Sequence, residues 1–381
     1  MVRSTICCRF FAQAAVIVLP IAQVASTPPG PSATVSQFLP TTPLWSIDIS
    51  AAPVGPPAIA PGLVLVALQS GEVQAYTLVT GALVWKLAFH ADRPIAIDAN
   101  RIVVAGGGEV RVVDAGHGKP VWSRTIGALT APLLASGGWI IATTADHLVA
   151  LRADDGQEVW RQESSGQVEP ATIEGGTLYV PLTSGPVRAL DLTTGAEKWS
   201  TRFGGAPTEV LALADRVYAG SADKFFYCLD SANGRVLWKA NIGAPMLGKP
   251  AADDRHVYAG SIDNQVRAFD RRSGALRWRK DARFRPTVGP TVIGPIVVVS
   301  AASALELHAW SARTGDAAGQ LAFPDPLAAA ATISAGMLAV VTGGLNEQLK
   351  LSLFGQPLPS IEEAPLKVLP GAAVTVRLPV R

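Results

Sequence analysis

Cysteine is nearly absent, with three in 381 residues, and two of these, Cys7 and Cys8, stand side by side near the N-terminus. No disulfide framework can hold such a chain together, and no cluster of thiolates can bind a structural zinc ion. Charge is scarce as well. Asp, Glu, Lys and Arg make up 16% of the residues, against about a quarter in an ordinary soluble domain. The formal net charge is only +2, which excludes the basic footprint of a nucleic-acid-binding protein. Long apolar runs are missing too, although mean hydropathy is +0.28. Beyond the N-terminus the longest are 295–305 and 327–341, shorter than the roughly 20 residues of a membrane-spanning helix. Helical periodicity is absent throughout. What is abundant is glycine, at 36, and proline, at 29, within a chain that is 49% hydrophobic. This is the composition of an all-β protein with many buried strands and tight turns.

The first 26 residues form a unit of their own. Arg3 and Arg9 precede an apolar stretch, and Val24, Ala25 and Ser26 supply a small-residue cleavage site. That order is expected of a secretory signal peptide, with an uncleaved N-terminal anchor as the alternative. Cys7 and Cys8 lie ahead of the apolar stretch, so neither stands where a lipid-bearing cysteine would. Cleavage would leave only Cys228, with thirty basic and thirty acidic residues. Residues 27–42, rich in Pro, Ser and Thr, read as a flexible leader.

An internal repeat governs the rest. Glycine and tryptophan recur four residues apart at Gly81/Trp85, Gly118/Trp122, Gly156/Trp160, Gly195/Trp199, Gly234/Trp238 and Gly274/Trp278. Successive tryptophans are 37, 38, 39, 39 and 40 residues apart. Gly315 marks a seventh turn whose tryptophan position holds Gly319, and an unpaired Trp45 lies 40 residues before Trp85. Within each unit, short strands alternate with turns of the Asp-x-x-x-Gly kind, in which the Asp carboxylate caps backbone amides and glycine takes a positive φ. Four short strands per period of about 40 residues are the blade of a β-propeller.

The ends set the blade count. Seven complete units run from about 58 to 323. An orphan outer strand at 43–49 and three inner strands near 328–354 remain. Joined, they make an eighth blade, and no unfinished blade leaves an open sheet edge. The expectation is an eight-bladed β-propeller of four-stranded antiparallel blades over 43–355, the last blade completed by the N-terminal strand. Trp45, Trp85, Trp122, Trp160, Trp199, Trp238 and Trp278 are then wedges between blades. Each ring buries about 200 Å², worth on the order of several kcal/mol. The tail, 356–381, has five prolines and one plausible strand at 373–378.

The run Ala189-Leu190-Asp191-Leu192-Thr193-Thr194-Gly195-Ala196-Glu197-Lys198-Trp199 resembles the A-x-D-x-x-T-G-x-x-x-W motif of PQQ-like, quinoprotein-type propeller repeats. Residues 227–238 and 268–278 match it nearly as well, and the resemblance covers about 43–355. Two branches of that family carry different functions. The quinoprotein alcohol dehydrogenases share the repeat and the blade number. The non-enzymatic BamB-like scaffolds of outer-membrane protein assembly are similar in size and in the N-terminal closing strand.

The enzyme branch implies particular chemistry: carboxylate and amide ligands for quinone-bound Ca²⁺, a carboxylate base, and a ring of two adjacent cysteines over the cofactor. The only adjacent cysteines are Cys7 and Cys8, in the signal segment, and the tight repeat spacing leaves no room for active-site insertions. The histidines (His90, His117, His147, His256 and His308) are scattered without metal-ligand spacing. Asp154-Asp155 and Asp253-Asp254 fall in turns, where solvated carboxylates are expected. No catalytic, cofactor-binding or metal-binding residue is therefore assigned, and PQQ and calcium enter only with the enzyme alternative.

One charged feature remains. Arg271, Arg272, Arg277, Arg279, Lys280, Arg283 and Arg285 crowd into fifteen residues against a lone Asp281. Such a run either docks an acidic partner or an anionic surface, or protects an outer strand from pairing with other chains. The expected protein is a periplasmic or secreted interaction scaffold, non-catalytic, with a protein partner in the cell envelope. Membrane association would come only through that partner or an uncleaved anchor. The alternative is a PQQ- and Ca²⁺-dependent dehydrogenase.

Overall fold

The structure is a computed structural model describing residues 43–355, except 165–168, 335 and 345–347. The signal segment, the leader and the tail with its strand at 373–378 lie outside the described residues. Among the described residues every regular element is a β-strand, and the strands form eight four-stranded antiparallel sheets. Blades 1 to 7 span 58–88, 96–125, 134–163, 172–202, 207–241, 246–281 and 291–322. Blade 8 joins Thr332–Ser334, Met337–Thr342 and Leu349–Phe354 to the N-terminal strand Pro43–Ile49. Trp45 pairs with Leu353 and Ile49 with Leu349. The ring thus closes with the strand on which the blade count depended.

Blades stacked on both sides leave their middle strands no solvent face. Leu63–Leu68 and Met337–Thr342 are buried at every position instead of alternating. The core is accordingly divided, with one apolar cluster at each of the eight junctions between blades. Cys228 is free and buried in the junction between blades 5 and 6.

The glycine–tryptophan signature joins each blade to the next. In the turn at 270–274, Asp270 Oδ1 accepts from the backbone amides of Arg272 and Ser273, and Gly274 takes a φ of +72°. A bulge then leaves Arg277 unpaired, with Leu276 opposite Phe269 and Trp278 opposite Ala268. This extra residue re-aims the indole toward the following blade. Trp278 Nε1 donates to the Ala312 carbonyl of blade 7 at 2.9 Å. The other six signature tryptophans donate in the same way, at 2.8–3.0 Å, to a carbonyl in the next blade's last turn. Each indole lies against the glycine of that turn, where a Cβ would approach ring atoms to 2.5–2.9 Å. The glycine of one repeat therefore serves the tryptophan of the repeat before it.

The junction between blades 7 and 8 differs. Gly319 stands at the tryptophan position, and the rings of Phe323 and Phe354 meet there edge to face, 6.0 Å between centroids. Two tyrosines, in blades 4 and 5, add a second bond to the same carbonyls. Tyr179 and Trp199 both donate to Ser231, and Tyr218 and Trp238 to Arg271.

Antiparallel connection fixes two faces. Turns linking first to second and third to fourth strands lie on one, here the turn face. Links between second and third strands, and between blades, lie on the other, the loop face.

Candidate docking cleft and axial polar group

The arginine-rich run does not form one surface. Arg271 and Arg272 sit in the last turn of blade 6, on the turn face, and Arg277 follows at the start of the outer strand Leu276–Asp281. Arg283 and Arg285 lie beyond the far end of that strand, on the loop face. Six residues at about 3.3 Å each separate the two groups by about 20 Å. Arg279 is exposed between them. Lys280 is half-buried, its Cε packed with Trp278 over Gly315 of blade 7.

On the turn face a cleft of about 470 Å³ gathers Asp254, Arg255, His256, Asp270, Arg271, Arg272, Arg277 and Arg313. Five guanidiniums therefore face two carboxylates. Arg255 comes from the first turn of blade 6, and Arg313 from the last turn of blade 7. Neither belongs to the run seen in the sequence. Arg313 had a signal, because Ser311-Ala312-Arg313-Thr314-Gly315 repeats the register of Asp270-Arg271-Arg272-Ser273-Gly274 and aligns it with Arg272. Arg255 had none, since only the packing of one turn beside another brings it in.

The arginines differ in how firmly they are held. Arg271 donates from Nη1 to the Asp253 carbonyl at 2.8 Å and from Nε to the Tyr218 hydroxyl at 3.2 Å. Arg277 pairs with Asp270 at 2.7 Å. That bond, together with the hydrogen bonds of Ser273 and Arg272, holds the Asp270 carboxyl well below the usual carboxylate range. Arg255 lies 3.7 Å from Asp254, both exposed. Arg272 and Arg313 are exposed, and their side chains have no hydrogen-bond or ion-pair partner among the described residues.

Asp253 corrects the expectation of a solvated turn carboxylate. It is half-buried and accepts the Tyr258 hydroxyl at 2.5 Å and the amides of Arg255 and His256 at 2.7 and 2.6 Å. Burial opposes its ionisation, but these donors outweigh burial and hold it below its ordinary value. Burial and then Asp253 push the Tyr258 hydroxyl upward. Asp154, by contrast, is exposed and pairs with Arg101 at 2.5 Å.

A second polar group lies where the inner strands of blades 4, 5 and 6 meet. Lys249 Nζ reaches Thr172 Oγ1 at 3.4 Å. Burial pushes Glu209 upward and Lys249 downward, each partly offset by attraction to the other. Thr208 Oγ1 is buried there with no hydrogen-bond partner among the described residues. A quinone with its calcium ion needs an oxygen-rich ligand set. This group presents a lysine ammonium beside Glu209 and Thr172, with Glu169 close enough to push Glu209 further upward, and no three His, Cys, Asp or Glu side chains converge among the described residues. It does not fit that pair.

Comparison with known proteins places the chain. A PQQ-like propeller family model, described as outer membrane protein assembly factor BamB, matches residues 69–212 and 203–336. The chain belongs to this family. Among curated members and relatives, it is 25% identical to the tetrathionate hydrolase of Acidithiobacillus ferrooxidans over 75% of its length and 62% of that protein's. It is 26% identical to the outer membrane protein assembly factor BamB of Burkholderia pseudomallei over 62% of its length and 66% of that protein's. It thus spans less than two thirds of these relatives. Among solved structures, BamB from Moraxella catarrhalis superposes with a TM-score of 0.68 at 19% identity, covering 82% of this chain and 99% of that one. Quinohemoprotein alcohol dehydrogenase from Comamonas testosteroni gives 0.66 at 15%, covering 85% and 78%. At these identities the superpositions speak for the propeller alone.

Proposed function

We propose that this BamB-family propeller is an exported, non-catalytic scaffold that takes part in assembling proteins of the cell envelope. The family match across 69–336 carries the reading. Two features of the molecule support it. The blades follow one another through links of four to nine residues, such as 203–206 and 282–290, and none of these links carries a strand or helix of its own among the described residues. The most concentrated charge lies in a shallow cleft on a rim of turns, a position suited to holding another protein. Work without quinone or calcium is part of this proposal.

One observation favours a second reading. The tetrathionate hydrolase relative aligns over three quarters of the chain, so an enzyme with a different substrate stands as the alternative. Crosslinking in cells with the full-length tagged chain, followed by purification, tests the first. It is expected to recover an envelope assembly protein in fixed proportion. Turnover of tetrathionate, or dye-linked alcohol oxidation after adding quinone and Ca²⁺, would overturn the scaffold reading in favour of an enzyme.

A further inference from the structure

The turn-face cleft has the composition of a binding site whose ligand is acidic. Five guanidiniums converge on it, and only Arg277 is engaged in a close ion pair, at 2.7 Å to Asp270. Arg271 is a fixed wall. Its carbonyl accepts from Trp238 and Tyr218, its guanidinium is tied to Asp253 and Tyr218, and its Cζ lies 6.0 Å from the Tyr218 ring centroid. Arg272 and Arg313, exposed and unengaged, stand at corresponding positions of adjacent blades. Two guanidiniums on successive turns, beside a third already placed, present forks of N–H donors that carboxylates match in pairs.

The geometry also chooses between ligands that share negative charge. A membrane is broad and flat, and a chain that docks on anionic lipid needs its cations on one face. Here Arg283 and Arg285 lie on the opposite face. A cleft of about 470 Å³ takes a few side chains of one peptide segment and not the continuous surface of a bilayer.

We propose that this cleft, at the junction of blades 6 and 7, is a docking site for a carboxylate-rich peptide segment of a partner protein. Arg272 and Arg313 grip its acidic side chains, Arg277 flanks them, and Arg271 forms the rigid base. The proposal rests on the scaffold reading for its partner but not for its chemistry.

The test uses the full chain and a fluorescein-labelled hexaglutamate peptide, read by fluorescence anisotropy. The double variant Arg272→Glu/Arg313→Glu is expected to weaken binding at least tenfold. Arg283→Glu/Arg285→Glu makes the same change of net charge on the other face and is expected to shift binding less than twofold. Thermal melting of each variant controls for folding, and both pairs are exposed. Equal losses from the two variants would assign the binding to bulk charge and overturn the proposal. So would absence of hexaglutamate binding to the unmodified chain, or tighter binding to phosphatidylglycerol vesicles than to the peptide. Crosslinking in cells separates this proposal from the scaffold reading. Capture that survives Arg272→Glu/Arg313→Glu unchanged sinks the cleft as the docking site and leaves the scaffold standing. Arginine-dependent peptide binding without any envelope partner does the reverse.

Discussion

Trp238 of blade 5 lies so close over Gly274 of blade 6 that a Cβ on the glycine would sit 2.6 Å from Cδ2 of the indole. The glycine also holds a φ of +72°, so two constraints meet at one atom. Gly62 separates them. Its φ is +76°, but nothing lies within 4 Å of its would-be Cβ. Gly62→Ala is expected to cost about 1 kcal/mol, for the backbone alone. Gly274→Ala should cost about 2–4 kcal/mol, because the indole must move as well. Urea unfolding of the two variants checks this, and equal losses would mean that the indole yields freely.

Trp45 does for the ring what no other tryptophan does, because its strand is held to blade 8 by pairing and not by a turn. Trp45→Ala should cost about 3–5 kcal/mol, as large core truncations do. Trp278→Ala removes an equivalent indole and should cost about the same. The two differ in consequence. Loosening Pro43–Ile49 uncovers Leu349–Phe354, an apolar strand with a free edge, and such edges recruit other chains. Light scattering at rising temperature should therefore show association before unfolding for Trp45→Ala, and monomeric unfolding for Trp278→Ala.

Much of this arrangement was legible in the sequence because the repeat encodes it locally. Spacing gave the blades, and the unpaired Trp45 gave the closure. The partnership between one repeat's glycine and the preceding repeat's tryptophan was not legible, because a motif within one unit conceals a contact between two. The arginine run misled in the opposite direction. Neighbours in sequence from Arg271 to Arg285 part to two faces, since a strand lies between them. Arg255 and Arg313, distant in sequence, complete the cleft because turns of different strands share a rim. Asp253 reads in the sequence as a solvated turn carboxylate for a similar reason: the Tyr258 hydroxyl that ties it down comes from the next strand.

Gly319 tests whether the repeat's consensus can be restored. A sequence argument would put tryptophan there and expect stability. The structure gives the opposite sign. Gly319 has a φ of +144°, outside the range side-chain-bearing residues favour, and Phe323 and Phe354 already meet at the junction it faces. Gly319→Trp should lower stability by about 1–3 kcal/mol through overpacking alone, seen as a lower melting temperature. A rise would mean that the phenylalanines leave unfilled space.

The pair Tyr227 and Asp223, where blade 5 meets the link from blade 4, should make stability depend on pH at the alkaline end. The Tyr227 hydroxyl donates to Asp223 Oδ2 at 2.6 Å, and its ring stacks on Phe203 at 4.1 Å. Burial and then the adjacent carboxylate push the hydroxyl from 10.0 up to about 12. The unfolded chain then releases this proton first as pH rises, so the folded state binds more protons over that interval and loses stability with pH. The contribution is complete below pH 10 and declines toward pH 12. Asp223 behaves inversely: although burial opposes it, the hydrogen bonds hold its carboxyl below 3.8, so its contribution is present above that value and fades as acid protonates it. Tyr227→Phe removes the titrating hydroxyl and leaves Asp223 the amides of Gly204 and Phe225. It should cost about 1 kcal/mol at neutral pH and make the decline between pH 10 and 12 in urea midpoints shallower, the remainder coming from Tyr258 and Cys228, which burial also pushes upward. A decline of unchanged slope in the variant would mean that Tyr227 has no part in the alkaline sensitivity.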